Sequence, residues 1–148
     1  MKTPTVAFLL PLLLAACGGP AKYADNAATP DLATTSEAPG DWSQLRHMVG
    51  RTPDESGLLQ QSAISVDLNA LLGPNVEPFR LAMAGAGPLL PDGPALVTVG
   101  RSRQAFLVIV PSDHALQAGL RTPQGWRTFR TPGADSGTPQ SVQVLLRS

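Results

Sequence analysis

The sequence predicts an α+β domain with short N-terminal helices packed on an antiparallel β-sheet, and three observations carry that prediction. Between Trp42 and Met83 the large apolar residues recur at spacings of three and four, the period of a helix with one buried face. Beyond Gly85 the pattern changes to β-branched and aromatic runs bounded by Gly, Pro and polar residues, the pattern of strands. The links between those runs are too short for parallel crossovers, which need a dozen residues or more, so neighbouring strands pair antiparallel.

Asp41 stands before Trp42 with Gln44 three residues on, a capping-box spacing that predicts a short helix whose buried face holds Trp42, Leu45 and Met48 or Val49. Gly50 ends it. Thr52-Pro53-Asp54-Glu55 reads as a second helix start or a turn, because proline suits the first helical position and acids suit the positive end of the helix dipole. Residues 65–72 form the clearest helix, with Ser65 as cap, leucines at 68, 71 and 72, and Gly73-Pro74 as the stop. A further short helix is expected over 75–82, where Val76, Phe79 and Met83 share one face. Strands are expected at 96–99, 105–110, 115–120, 126–130 and 141–146. Turns fall at Pro111-Ser112-Asp113 and Thr122-Pro123-Gln124-Gly125, and residues 131–140 read as a loop. The helices come first, on one side of the sheet.

The only cysteine, Cys17, closes an apolar run. Lys2 supplies a positive start and residues 6–16 an apolar stretch of eleven, shorter than the roughly 20 residues needed to span a bilayer as a helix. Leu14-Ala15-Ala16-Cys17 resembles the lipobox of bacterial lipoproteins. That resemblance implies a signal peptide over 1–16, cleavage before Cys17 and lipid on its sulfur; two or three acyl chains hold a protein on a membrane where one binds reversibly. Gly18 follows the cysteine where aspartate is associated with inner-membrane retention. The expected location is therefore the periplasmic side of the outer membrane, lipid-anchored.

Removing sixteen residues from 148 leaves 132. Residues 18–40 are rich in Ala, Pro, Thr, Gly and Asp, too poor in large apolar groups to offset chain entropy. With the lipidated Cys17 they are expected to form a flexible tether, whose end-to-end distance is on the order of 25 Å. Residues 41–148 make one α+β domain, large enough for a single core. With no further cysteine the domain has no disulfide and relies on packing.

Without Lys2 the chain carries ten basic against eleven acidic residues, a balance that argues against general binding to nucleic acid. The distribution is uneven. Residues 41–100 hold three arginines and six acids, whereas 101–148 hold six arginines against Asp113 and Asp135.

Motifs for catalysis, metals and cofactors are not legible, so no cofactor, no metal and no enzymatic activity are expected. His47 and His114 lie in different elements without a carboxylate or cysteine at ligand spacing. Ser112, Asp113 and His114 are contiguous, whereas the members of a catalytic triad converge from separate elements. Asp54 and Glu55 carry the charge of a helix start, and Gly85-Ala86-Gly87 lacks the strand and lysine of a phosphate loop. Trp42 and Trp126 read as core anchors.

Gly100-Arg101-Ser102-Arg103 joins two apolar strands, so Arg101 and Arg103 are presented on a short connection. There they could fork onto carboxylates or sugar hydroxyls of an envelope protein or cell-wall glycan. The order of Leu68-Asn69-Ala70-Leu71-Leu72-Gly73, Phe79 with Met83, Gly87-Pro88-Leu89, Val97-Thr98-Val99-Gly100, residues 105–110 and residues 115–120 resembles the periplasmic vertebrate-lysozyme inhibitor family and its lipoprotein relatives. This resemblance covers about half of the domain. It implies a non-enzymatic, inhibitor-like binding module. In that family a disulfide-closed loop with a histidine plugs the lysozyme active site. The corresponding Arg101-Ser102-Arg103-Gln104 has neither cysteine nor histidine, so lysozyme inhibition does not carry over. The alternative expectation is a small envelope-polymer hydrolase, which requires a cleft bringing His47 or His114 beside a carboxylate.

Overall fold

A computed structural model describes residues 40–148. Among them, helices and a five-stranded antiparallel sheet form the expected α+β fold.

Residues Trp42–Met48 form a 3-10 helix, with Trp42 and Leu45 buried. The expected capping box at Asp41 is not made. Its Oδ1 accepts the N–H of Ser43 at 3.0 Å, two residues on, and the turns that follow are 3-10 in place of α. The reciprocal box lies one element later. Thr52 Oγ1 accepts the Glu55 N–H at 3.3 Å and Glu55 Oε2 accepts the Thr52 N–H at 3.1 Å. This fixes the start of α1 (Pro53–Ser56), and Gly57, at φ 65°, ends it.

Helix α2 (Ser65–Leu72) has the expected span and stops at Gly73, φ 53°. Its cap differs from expectation. Ser65 is already helical and donates its hydroxyl to the Ser62 carbonyl at 2.8 Å, while the buried Ser62 hydroxyl accepts the Ile64 N–H at 3.3 Å. Helix α3 (Val76–Met83) buries Phe79 and Met83.

The sheet runs in the order β1 (Leu90–Asp92), β2 (Ala95–Val99), β3 (Ala105–Val110), β4 (Ala115–Thr122), β5 (Gly125–Arg130), a meander of adjacent antiparallel pairs. Strand β1 is absent from the sequence reading because three residues with a central Pro91 carry no alternation.

The main correction lies at the C-terminus. Residues 141–146, expected as a strand, belong to a helix, α4 (Gln140–Leu146). Val142, Val144 and Leu146 satisfy period two, but Val142 with Leu145 satisfies helical spacing, and it is these two that are buried while Val144 is 59% exposed. The sheet therefore has cover on both faces. Leu96, Leu107, Ile109, Leu116 and Ala118 pack against Leu45, Ile64, Leu68, Phe79 and Met83 of the N-terminal elements. On the opposite face Val97, Phe106 and Val108 pack against Val142 and Leu145 of α4. This explains why every residue of β3 is buried: a strand covered on both faces has no polar side.

Phe106 meets Gly119 across the β3–β4 ladder. A Cβ on Gly119 would fall inside the Phe106 ring, so glycine at this position makes the room the aromatic occupies.

Candidate binding surface at one end of the sheet

A meander places alternate hairpins at the same end of its sheet. The β2–β3 connection, carrying Arg101 and Arg103, and the β4–β5 turn therefore lie at the same end, where a hydrogen bond from the Arg121 N–H of β4 to the Gln104 carbonyl at 2.7 Å extends the β3–β4 ladder. Arg101, Arg103, Arg121 and Arg127 are all exposed at this end. None has an acidic partner: among the described residues the one ion pair is Arg80–Glu77 at 3.1 Å. The Arg121 guanidinium lies 5.8 Å from the centre of the Trp126 ring, and Arg127 lies 5.7 Å from that of Phe129 and bonds Asn75 Oδ1 at 3.4 Å.

At the opposite end Asp92 closes β1 and Asp113 lies in the β3–β4 connection, with Arg130 at the end of β5. Hydroxyls hold both carboxyls below the ordinary aspartate range: the Ser141 hydroxyl, then its N–H, for Asp92, and the Ser136 then Ser112 hydroxyls for Asp113.

The arginine hairpin is tightly built. The Gly100 N–H donates to the Ala105 carbonyl at 2.9 Å and the Arg103 N–H to the Gly100 carbonyl at 2.8 Å. Closure forces Arg103 into the left-handed region, φ 55°, a conformation costly for a residue with a Cβ. A Cβ on Gly100 would collide with the Ala82 carbonyl oxygen, so the hairpin base is pressed against the end of α3. The Arg101 stem passes over Gly85, to which a methyl could be added only in contact with Arg101 Cδ at 3.6 Å. Both arginines line an open cleft of about 530 Å³ floored by Gly85, Gly87 and Gly100 and bordered by Leu145. Bare glycine backbone below two forked cations suits a carboxylate or sugar hydroxyl approaching from solvent.

His47 is exposed in the first 3-10 helix. His114 is in the left-handed region, φ 46°, and its ring packs at a tilt of 48° against buried Trp42 with centroids 5.0 Å apart. It shares a cleft of about 530 Å³ with Asp67 and Arg130, but no His114–Asp67 ion pair forms. Ser112 donates to Asp113 Oδ1 at 2.8 Å, within one turn, without reaching His114. Asp54 accepts the Gly85 N–H at 3.0 Å, which assigns both Asp54 and the Gly85 turn to joining α1 with the end of α3. Trp126 packs at a tilt of 51° against Phe106 with centroids 5.5 Å apart.

Arg121 and Arg127 were not singled out by the sequence reading. Their signal was present, since the basic excess after residue 100 becomes a cluster once alternate hairpins of a meander are placed at one end. Cys17 and the segments 1–16 and 17–39 lie outside the described residues. Among the described residues no helix is long and apolar enough to cross a membrane, and no three His, Cys, Asp or Glu side chains are grouped to hold a metal. Comparison with family models, with curated proteins and with solved structures finds no match.

Proposed function

We propose that the protein is a lipoprotein anchored through Cys17 on the periplasmic side of the outer membrane, and that its folded part is a non-enzymatic, inhibitor-like binding module of the cell envelope. The exposed arginine hairpin carries the binding half of this reading: Arg101 and Arg103 have no acid in ion-pair range among the described residues, and Arg103 is held in the left-handed region, so both guanidiniums are open to a carboxylate or sugar hydroxyl from outside. The Leu14-Ala15-Ala16-Cys17 sequence carries the anchoring half.

Two experiments test the halves separately. Cys17→Ser should move the protein from the membrane fraction to the soluble periplasmic fraction; an unchanged membrane location removes the lipid anchor. Crosslinking in intact cells should capture an envelope protein or glycan, and Arg101→Ala with Arg103→Ala should reduce that capture. Equal recovery removes the hairpin from the interface.

A hydrolase of envelope polymers is the second reading, supported by one observation: His114 and Asp67 line the same cleft. Hydrolysis of isolated wall polymer that is lost in His114→Ala would favour it over the binding module.

A further inference from the structure

The two edges of the sheet are finished differently. At one edge β1 is only three residues long and contains Pro91. Just past it Gly87 bonds the outer side of β2, its N–H to the Val99 carbonyl at 3.0 Å and its carbonyl to the Thr98 hydroxyl at 2.8 Å. Shortness, proline and a covering segment are devices that stop another chain from adding to a sheet. Strand β5, at the other edge, has six residues and no proline.

The register shows which β5 backbone groups are unused. The Thr131 N–H donates to the Leu116 carbonyl at 2.9 Å, so position 131 faces β4. Arg121 directs its N–H away from β5, to Gln104, so β4 turns its even-numbered residues toward β5. In the pairing Ala118 with Phe129 and Leu120 with Arg127, the inward positions of β5 are therefore 125, 127 and 129. Trp126, Thr128 and Arg130 aim their N–H and C=O groups outward, in the alternation of an antiparallel ladder, and among the described residues no backbone hydrogen bond from another element meets them. Thr128 and Arg130 are exposed.

The side chains along this edge are cationic. Arg127 and Arg130 lie on β5 and Arg121 beside its start, with no acid in ion-pair range among the described residues. Two copies paired edge to edge would bring these arginines together, which repels. An extended segment rich in Asp or Glu would instead place carboxylates among three guanidiniums while its backbone completes the ladder. A glycan supplies the charge but not the alternating N–H and C=O groups.

We propose that β5 is a docking edge for an acidic, extended polypeptide segment of a partner protein, which adds as a sixth strand. This rests on the binding role proposed above and narrows its partner to protein. Affinity comes from the outward groups of Trp126, Thr128 and Arg130, and selection for acidic sequence comes from Arg121, Arg127 and Arg130.

The test titrates the full-length chain in detergent with a labelled peptide of alternating Glu and Val, and with the same peptide N-methylated at every second residue. The parent peptide is expected to bind and to weaken as salt rises. Loss of about tenfold or more is expected on N-methylation, on Thr128→Pro, which removes an outward N–H, and on Arg127→Glu with Arg130→Glu. Circular dichroism and the melting temperature report whether each variant folds, and the N-methylated peptide tests the ladder on the unaltered protein. Equal binding of parent and N-methylated peptides overturns the proposal. So does absence of parent binding together with dimerisation of Arg127→Ala, Arg130→Ala, which would assign the arginines to preventing self-pairing. Cellular capture that depends on Arg101 and Arg103 but not on Thr128 or Arg130 would sink the β5 edge and leave the binding module standing.

Discussion

Asp92 holds the first turn of α4 through Ser141: its Oδ2 accepts the Ser141 N–H at 3.1 Å and the Ser141 hydroxyl at 2.6 Å. A carboxylate at the end of β1 thus satisfies a free donor of a helix 49 residues further along the chain. These bonds favour the ionised carboxyl and keep its pKa below the ordinary value.

Because the folded pKa is depressed, the bond contributes fully above the ordinary aspartate pKa of about 3.9 and is lost as pH falls through the lower folded value. Asp92→Asn is therefore expected to lower the melting temperature at pH 7 and to leave a smaller deficit once the pH drops below that of the folded carboxyl. Denaturation of both proteins across pH 2 to 7 checks this. Parallel curves at all pH values would show that Asp92 does not act through its charge.

The helix at the C-terminus predicts opposite outcomes for adjacent residues. Leu145 is 3% exposed and packs on the second face of the sheet, whereas Val144 points to solvent. Leu145→Ala should cost about 2–5 kcal/mol, and Val144→Lys should stay within about 0.5 kcal/mol of the parent. Urea denaturation measures both. In the strand once expected here, Val144 would share the inner face with Val142 and Leu146, and Val144→Lys would be the damaging change.

Much of this fold is legible in local signals. The 105–110 run is read as a strand with its observed ends, and Gly73 stops α2 as its place before Pro74 suggests. Apart from the two helix caps at Asp41 and Ser65, what fails is what depends on distant partners. Residues 140–146 fit either period, and the choice is made by the uncovered face of Phe106, Val97 and Val108, which offers a surface for a helix to cover. The fully apolar sequence of β3 already implied cover on both faces, a clue that the N-terminal helices alone do not meet. Arg101 and Arg103 were visible as a hairpin, but their grouping with Arg121 needed the strand order. The Asp92–Ser141 cap has no local signal at all.

Gly119 offers a second test of two-face packing. Since an added Cβ would enter the Phe106 ring, Gly119→Ala should destabilise by about 1–3 kcal/mol. Coupling it to Phe106→Leu should recover part of that loss, because the smaller side chain vacates the contested space. A double-mutant cycle measures the coupling. Strict additivity would show that the cost at Gly119 comes from backbone conformation instead.

Arg103 separates stability from binding. Its φ of 55° is easy for glycine and costly for arginine, and among the described residues its exposed side chain has no ion-pair partner to compensate. Arg103→Gly is therefore expected to stabilise the domain by about 1 kcal/mol, measured in urea, while reducing capture of the proposed envelope partner in intact cells. Arg103→Asn, which also tolerates the left-handed region, should keep most of the stability and share the loss of capture. Together these outcomes locate the reason for a strained arginine in what its guanidinium meets outside the molecule. Stabilisation with undiminished capture would instead leave Arg103 as strain without a role.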